Sequence, residues 1–220
     1  MSINHVPPPP HPFPQHINST TLPVGTELHR IYGAKFPGNG FNPRVDKLNR
    51  FSPIFSRGEP VPVLYAGSTA ETAIYETLFH DAHVKGAKHQ SLPLSALTHR
   101  RYGSWKTQRS LKLATLHAPD LAGFGVTTDQ LTATNSIYYV QTARWAEAIH
   151  DNHADIEGLQ WTSYRADPGV AYVLFGDRVG SEDLFCTGNE VLIRRDVALY
   201  RLVLECAARS GVRIARPRMP

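Results

Sequence analysis

The segment that most constrains the fold is residues 63–83, with the sequence VLYAGSTAETAIYETLFHDAH. Its first three residues are apolar and partly β-branched, and they follow a Pro-Val-Pro lead that disfavours a helix. Gly67 permits a tight turn, and Ser68 and Glu71 have the spacing of a helix-capping box. The segment therefore predicts a buried strand, a tight turn and a helix.

The predicted helix has an apolar stripe at helical period. The stripe consists of Ala70, Ala73, Ile74, Thr77 and Leu78. Glu76 lies outside the centre of this stripe, and Tyr65 ends the preceding strand. From this segment alone, the simpler interpretation is a core tyrosine and a solvated glutamate.

The composition is that of a single globular domain. A chain of 220 residues with 41% hydrophobic residues is long enough for a sizeable core. No apolar run approaches the length of a membrane span, and the N-terminal residues lack the apolar core of a signal peptide. Two cysteines do not make a disulfide framework. We therefore expect a cytoplasmic protein without membrane contact.

The basic residues favour an anionic ligand. Most of them are arginines, whose planar fork matches phosphates and carboxylates. The net charge of +4 is too modest over this length to indicate nucleic-acid binding.

The N-terminal 25 residues contain the sequence VPPPPHPFPQ. Prolines at this density favour extended polyproline conformations and prevent a regular helix. We interpret residues 1–25 as a proline-rich arm, either a tail or a strap along the surface. Residues 26–220 then form the main domain.

Outside the segment 63–83, the sequence of the first half of the domain predicts one strand and two loops. Residues 27–32, ELHRIY, alternate sufficiently for a short strand that contains Arg30. Residues 34–60 are rich in Gly, Asn, Pro and Ser and predict a long, mostly irregular loop that carries Arg50. Long loops in compact domains are often functional. The basic residues 98–110 predict a solvated loop.

The remaining elements are several short strands and two helices. Strands are predicted over 90–97, 110–116, 158–165, 170–175 and 191–193, and helices over 136–150, capped by Ser136, and 196–208. In the strand 158–165, Leu159, Trp161 and Ser163 share one side, so Ser163 could face a cleft beside Trp161. These elements do not alternate as regular βαβ units. They predict an α+β fold with a mostly antiparallel sheet.

Taken together, the order of these features resembles the RES-domain toxins, a family named for Arg, Glu and Ser residues. The matching pieces are LHRIY with Arg30, the pair Arg50-Phe51 after a Gly/Asn-rich loop, LYAGSTAETAIYE with Tyr65 and Glu76, and GLQWTSYR with Ser163. The resemblance covers roughly residues 26–193. The glycines and asparagines precede Arg50 by a longer distance than in the common family pattern.

The resemblance implies a toxin of a type II toxin–antitoxin pair that destroys cellular NAD⁺. It also implies one domain similar to the ADP-ribosyltransferase fold, and an Xre-type antitoxin whose C-terminal part blocks the active site. NAD⁺ is then the substrate, inorganic phosphate is an optional co-substrate, and neither a metal nor another cofactor is required. A homodimer is compatible with this interpretation, and direct nucleic-acid binding is not expected.

The resemblance assigns catalytic roles to Glu76, Arg30 and Ser163. Cleavage of the nicotinamide–ribose bond develops positive charge on the ribose, which a carboxylate such as Glu76 can stabilise. Ser163 could hydrogen-bond the ribose or orient Glu76. Arg30 could hold the pyrophosphate through charge-assisted hydrogen bonds.

The resemblance assigns substrate binding to Tyr32, Arg50 and Tyr65. Arg50 is a second candidate for the pyrophosphate, and Tyr65 offers an aromatic face to the nicotinamide ring. Attack by water would give hydrolysis, and attack by phosphate would give phosphorolysis. The sequence leaves that choice open.

Three alternative functions remain open. The first is an ADP-ribosyltransferase that uses the same site on a macromolecular acceptor. The second is a metal-dependent hydrolase, since Glu76, His80 and His83 share one helical face. The third is a protein that binds single-stranded nucleic acid through arginines beside aromatics, as at Arg30-Ile31-Tyr32 and Arg101-Tyr102.

Overall fold

The computed structural model describes residues 5–79, 91–188 and 190–215. The strands are β1 (Ser19–Leu22), β2 (Glu27–Gly33), β3 (Ile54–Ser56), β4 (Glu59–Val61), β5 (Val63–Gly67), β6 (Ser91–Pro93), β7 (Arg100–Thr107), β8 (Leu111–Thr115), β9 (Gly158–Thr162), β10 (Val170–Phe175), β11 (Leu184–Cys186), β12 (Val191–Leu192) and β13 (Arg213–Ala215). The helices are α1 (Ala70–Leu78), α2 (Ser95–Thr98), α3 (Ala118–Gly123), α4 (Thr128–Leu131), α5 (Tyr139–Asn152) and α6 (Val197–Arg209).

One large sheet organises these elements. Its strand order is β1-β8-β9-β10-β5-β2-β7-β11, and β12 also pairs with β7. The pair β8–β9 is parallel, whereas the other described pairs of this sheet are antiparallel. Helices α1, α5 and α6 pack their buried faces into the apolar clusters beside the sheet. The expected α+β fold with a mostly antiparallel sheet is confirmed.

The strand–turn–helix segment forms β5 and α1, as predicted, but its helix cap differs. The N-cap is Thr69, whose side chain accepts a hydrogen bond from the Thr72 N–H at 3.0 Å. Ser68 instead accepts a hydrogen bond from the Val170 N–H at 2.9 Å and ties the turn to β10. The predicted cap at Ser68 was wrong because the helix begins one residue later.

The buried face of α1 also differs from the predicted stripe. It consists of Thr72, Ala73, Ile74, Tyr75 and Leu78. Ala70 and Thr77 are half-buried instead. Glu76 is half-buried too, at the margin of this face.

The basic stretch 98–110 contains a strand rather than a solvated loop. Residues 100–106 of strand β7 pair with the whole of β2, and the other edge of β7 pairs with β11. The prediction was wrong because arginines and lysine dominate the sequence, while their long side chains can lie along the sheet and keep the charge in water. Trp105 is the apolar anchor of β7 and is 4% exposed.

Smaller differences affect four other segments. The predicted loop 34–60 includes the hairpin β3–β4, and the described part of the predicted strand 90–97 consists of β6 and the start of α2. The helix predicted at Ser136 begins as a 3₁₀ turn capped by Asn135, whose side chain accepts from the Ile137 N–H. Strand β9 ends at Thr162, which leaves Ser163 at the start of a turn. The closing helix α6 begins after Asp196, as predicted.

The described part of the proline-rich arm packs along the domain as a strap. Val6 and Phe13 are buried beside α5. The Trp145 indole N–H donates to the Pro7 carbonyl at 2.8 Å, and His153 Nε2 lies 3.0 Å from the Pro14 carbonyl oxygen. Further along, β1 pairs with β8 at the edge of the sheet. Among the described helices, none is both long and apolar enough to cross a membrane.

Candidate active site

A cleft of about 570 Å³ opens beside β2, β5 and the N-terminal half of α5. Five of the six predicted site residues line it: Arg30, Tyr32, Arg50, Tyr65 and Glu76. The sixth, Ser163, is fully buried and contacts Glu76. The structure therefore brings all six predicted residues together.

Glu76 and Ser163 form the best-defined contact of the site. The Ser163 hydroxyl donates a hydrogen bond to Glu76 Oε1 at 2.6 Å. The same hydroxyl oxygen accepts from the Ala166 N–H at 3.3 Å, which fixes it within its turn. Because Ser163 is buried and Glu76 is half-buried, the serine holds the carboxylate at the cleft wall.

The sheet register explains this contact. Ala171 of β10 is the register partner of both Trp161 on β9 and Gly67 on β5. Strands β9 and β5 therefore run in the same direction and end at the same edge of the sheet. Ser163 follows the end of β9, and α1 with Glu76 follows the end of β5, so both reach the cleft at that edge.

Arg30 links its strand to the loop that follows. Its Nη1 donates to the Gly38 carbonyl at 2.5 Å and to the Gly40 carbonyl at 2.8 Å. Its guanidinium carbon lies 5.6 Å from the centroid of the Tyr32 ring. Desolvation lowers the pKa of Arg30 to about 10, so the side chain stays cationic near neutral pH. Arg30 thus places a positive charge in the cleft wall.

Tyr32 lies next to Arg30 and is also a buried part of the wall. Its hydroxyl donates to Glu190 Oε1 at 2.5 Å. Burial raises the pKa of Tyr32, and the hydrogen bond to Glu190 acts in the same direction. The phenol therefore remains protonated over the physiological range.

Arg50 and Tyr65 fix the part of the 34–60 loop around residues 50 and 51. Arg50 Nη1 donates to the Thr134 carbonyl at 3.0 Å, and its guanidinium carbon lies 5.3 Å from the Tyr139 ring centroid. The Tyr65 hydroxyl accepts from the Phe51 N–H at 3.0 Å. Burial raises the pKa of Tyr65. These contacts anchor the loop to β5 and to the start of α5.

Several site residues were missed at the sequence level. Tyr139 and Arg100 line the cleft, although the sequence analysis placed Tyr139 simply within a helix and Arg100 in a solvated loop. Trp161 also lines it, as the expected cleft beside Trp161 implied. Arg165 is half-buried and interacts electrostatically with Glu76 and Arg50, while desolvation lowers its pKa. The motif GLQWTSYR contains Arg165, so its position two residues after Ser163 was the available signal.

The alternative metal site falls partly beyond the described residues. It combined Glu76 with His80 and His83, and both histidines lie in the segment 80–90 that the structure does not describe. Within the described ranges, no group of three or more His, Cys, Asp or Glu side chains is placed to hold a metal ion.

Comparison with known proteins agrees with this α+β fold. The sequence model of the RES domain matches residues 27–188, which is nearly three quarters of the chain. The chain therefore belongs to the RES domain family, as the sequence resemblance predicted. All six predicted site residues lie within the matched region.

A solved structure shares the fold. The crystal structure of the M. tuberculosis MbcT–MbcA toxin–antitoxin complex contains a chain that matches with a TM-score of 0.59 and 14% sequence identity. The match covers 84% of this chain and 92% of that chain. At this identity the similarity shows a common fold. No curated protein matches the sequence.

Proposed function

We propose that this protein is an enzyme that cleaves the nicotinamide–ribose bond of NAD⁺. The observation that carries the proposal is the 2.6 Å hydrogen bond between Ser163 and Glu76 in a cleft whose walls hold arginines and tyrosines. Membership of the RES domain family supports the same activity. The volume of the cleft lies within the usual range for small-molecule sites.

Glu76 supplies the charge that the reaction needs. As nicotinamide leaves, positive charge develops on the ribose, and a nearby carboxylate stabilises it or orients a ribose hydroxyl. Ser163 holds Glu76 Oε1 from a fully buried position, so the carboxylate is oriented before the substrate binds. Preorganised charge is worth more in a partly desolvated cleft than in water.

The arginines and tyrosines hold the substrate around this carboxylate. Arg30 and Arg50 line the same cleft and carry the positive charge that a pyrophosphate requires. Arg165 adds a third positive charge close enough to interact with Arg50 and Glu76. Tyr65 offers its ring to the nicotinamide, and Tyr32 completes the wall beside Arg30.

We further propose that the protein acts as a toxin in the cytoplasm, under the control of an Xre-type antitoxin. The fold is shared with a chain of a toxin–antitoxin complex. Exposed apolar side chains also occur in the segments that form the cleft: Phe36 lines it, and five others are sequence neighbours, at one or two positions, of a lining residue or of Ser163. The others are Val45, Leu48, Ile137, Val140 and Tyr164. We propose that an antitoxin binds these exposed side chains and closes the cleft.

The test is incubation of the purified protein with NAD⁺, with and without inorganic phosphate. We expect free nicotinamide, and the second product identifies the reaction. ADP-ribose indicates hydrolysis, its phosphorylated form indicates phosphorolysis, and a modified macromolecule indicates ADP-ribosyl transfer. Release of no nicotinamide by folded protein, free of any antitoxin, would contradict the proposal.

A further inference from the structure

Glu190 lies outside the region matched by the family but touches the candidate active site. It precedes β12, whereas the matched region ends at residue 188. Glu190 is exposed, yet its Oε1 accepts a hydrogen bond at 2.5 Å from the hydroxyl of the buried Tyr32. The two residues are 158 positions apart in the sequence, so the bond joins two distant parts of the chain.

Tyr32 contacts both Glu190 and Arg30. The Arg30 guanidinium carbon lies 5.6 Å from the Tyr32 ring centroid, within the range of a cation–π contact. The same guanidinium donates to the carbonyls of Gly38 and Gly40. Glu190, Tyr32, Arg30 and the turn 38–40 therefore form one connected network along the cleft wall.

Glu190 also packs directly against the turn. A Cβ atom added at Gly38 would overlap with Glu190 Oε1 and with the Trp105 ring. Gly38 is buried, and the Glu190 carboxylate and the Trp105 indole both lie against the side of Gly38 from which a side chain would project. The absence of a side chain at Gly38 is what lets Glu190 reach Tyr32.

We propose that Glu190 is a positioning residue that fixes Tyr32, Arg30 and the turn 38–40 in their binding arrangement. The proposal rests on the proposed function insofar as the cleft binds NAD⁺. Glu190 does not line the cleft, so it acts through Tyr32 rather than on the substrate. A hydrogen bond to a charged acceptor is stronger than one between neutral groups, which suits a contact that must hold a ring in place.

The kinetic test compares E190A, E190Q and Y32F with the wild type. Loss of the bond loosens a wall that contacts substrate and transition state alike, so E190A should raise KM for NAD⁺ about ten-fold with little change in kcat. In E190Q the amide oxygen can still accept from the phenol, and KM should return to within about three-fold of the wild type. Y32F should match E190A, and the double variant E190A/Y32F should be no worse than either single variant.

A second measurement does not depend on NAD⁺ cleavage. Hydrogen–deuterium exchange of the segment 33–44 should be faster in E190A and Y32F than in the wild type, and unchanged in E190Q. E205A is the matched control, since Glu205 is an exposed carboxylate on α6 and should change neither exchange nor KM. Unchanged exchange at 33–44 in E190A, or E190Q as impaired as E190A, would overturn the proposal. A wild-type protein that releases no nicotinamide would overturn the proposed function alone, because the exchange result still decides the role of Glu190.

Discussion

The two sides of the cleft are built in different ways. The carboxylate side consists of Glu76 and Ser163, and its geometry follows from sheet register and from two short turns. The arginine side consists of Arg30, Tyr32 and the turn 38–40, and it depends on side-chain hydrogen bonds to loop carbonyls and to the distant Glu190. Regular secondary structure thus fixes the first side, whereas a polar network fixes the second.

This difference predicts different consequences of mutation. Changes on the carboxylate side should lower kcat, because this side acts on the charge that develops in the transition state. Changes on the arginine side should raise KM, because this side holds the unreacted part of the substrate.

The largest effect among the supporting residues is expected for Ser163→Ala. Glu76 then loses the hydroxyl that orients it, so kcat for nicotinamide release should fall about 100-fold, with a smaller change in KM. Steady-state kinetics on purified protein measure both. Ser181→Ala is the control because Ser181 is exposed and does not line the cleft. Wild-type kcat in Ser163→Ala would remove the orienting role.

Gly38→Ala tests the arginine side. The added methyl group would overlap with Glu190 and Trp105, so the contacts that hold the turn 38–40 must rearrange, and Arg30 donates to two carbonyls of that turn. KM for NAD⁺ should rise about ten-fold, with kcat within about two-fold of the wild type. Gly188→Ala is the matched control because its Cβ would meet open space. Equal kinetics in the two variants would show that the turn does not position the arginine side.

Arg50→Lys tests whether substrate binding requires the planar geometry of the cation in addition to its charge. Lysine keeps the charge but loses the planar group that packs on Tyr139, so KM should rise about five-fold. Arg57→Lys, on an exposed turn between β3 and β4, should leave KM unchanged. An unaltered KM in Arg50→Lys would mean that charge alone suffices.

The smallest effect is expected for the cap of α1. Thr69→Ala should lower the free energy of unfolding by about 1 kcal/mol and speed amide exchange at Thr72. Ser68→Ala should instead speed exchange at Val170, because Ser68 accepts from that amide. Faster exchange at Thr72 in Ser68→Ala would instead support Ser68 as the cap of α1, as the sequence predicted.

The carboxylate side was largely predictable from the sequence. Apolar patterning identified β5, α1 and the strand before Ser163, and these short segments determine where Glu76 and Ser163 lie. The cap was misplaced by one residue because Ser68 and Thr69 are both good capping residues.

The arginine side was predictable only as a list of residues. No local pattern links Tyr32 to Glu190, since this contact arises only when distant segments fold together. The basic residues of β7 were also interpreted as a loop, although they belong to a strand that pairs with the whole of β2. Long-range polar contacts carry no periodicity, so sequence patterns do not reveal them.

The most direct test of the account compares wild-type protein with Glu76→Gln in the presence of NAD⁺. The amide keeps the size of the side chain and can still accept from Ser163, but it removes the negative charge. We expect the wild type to release nicotinamide and Glu76→Gln to be about 1,000-fold slower at an unchanged melting temperature. Equal nicotinamide release by the two proteins would contradict the central role of the Glu76 carboxylate.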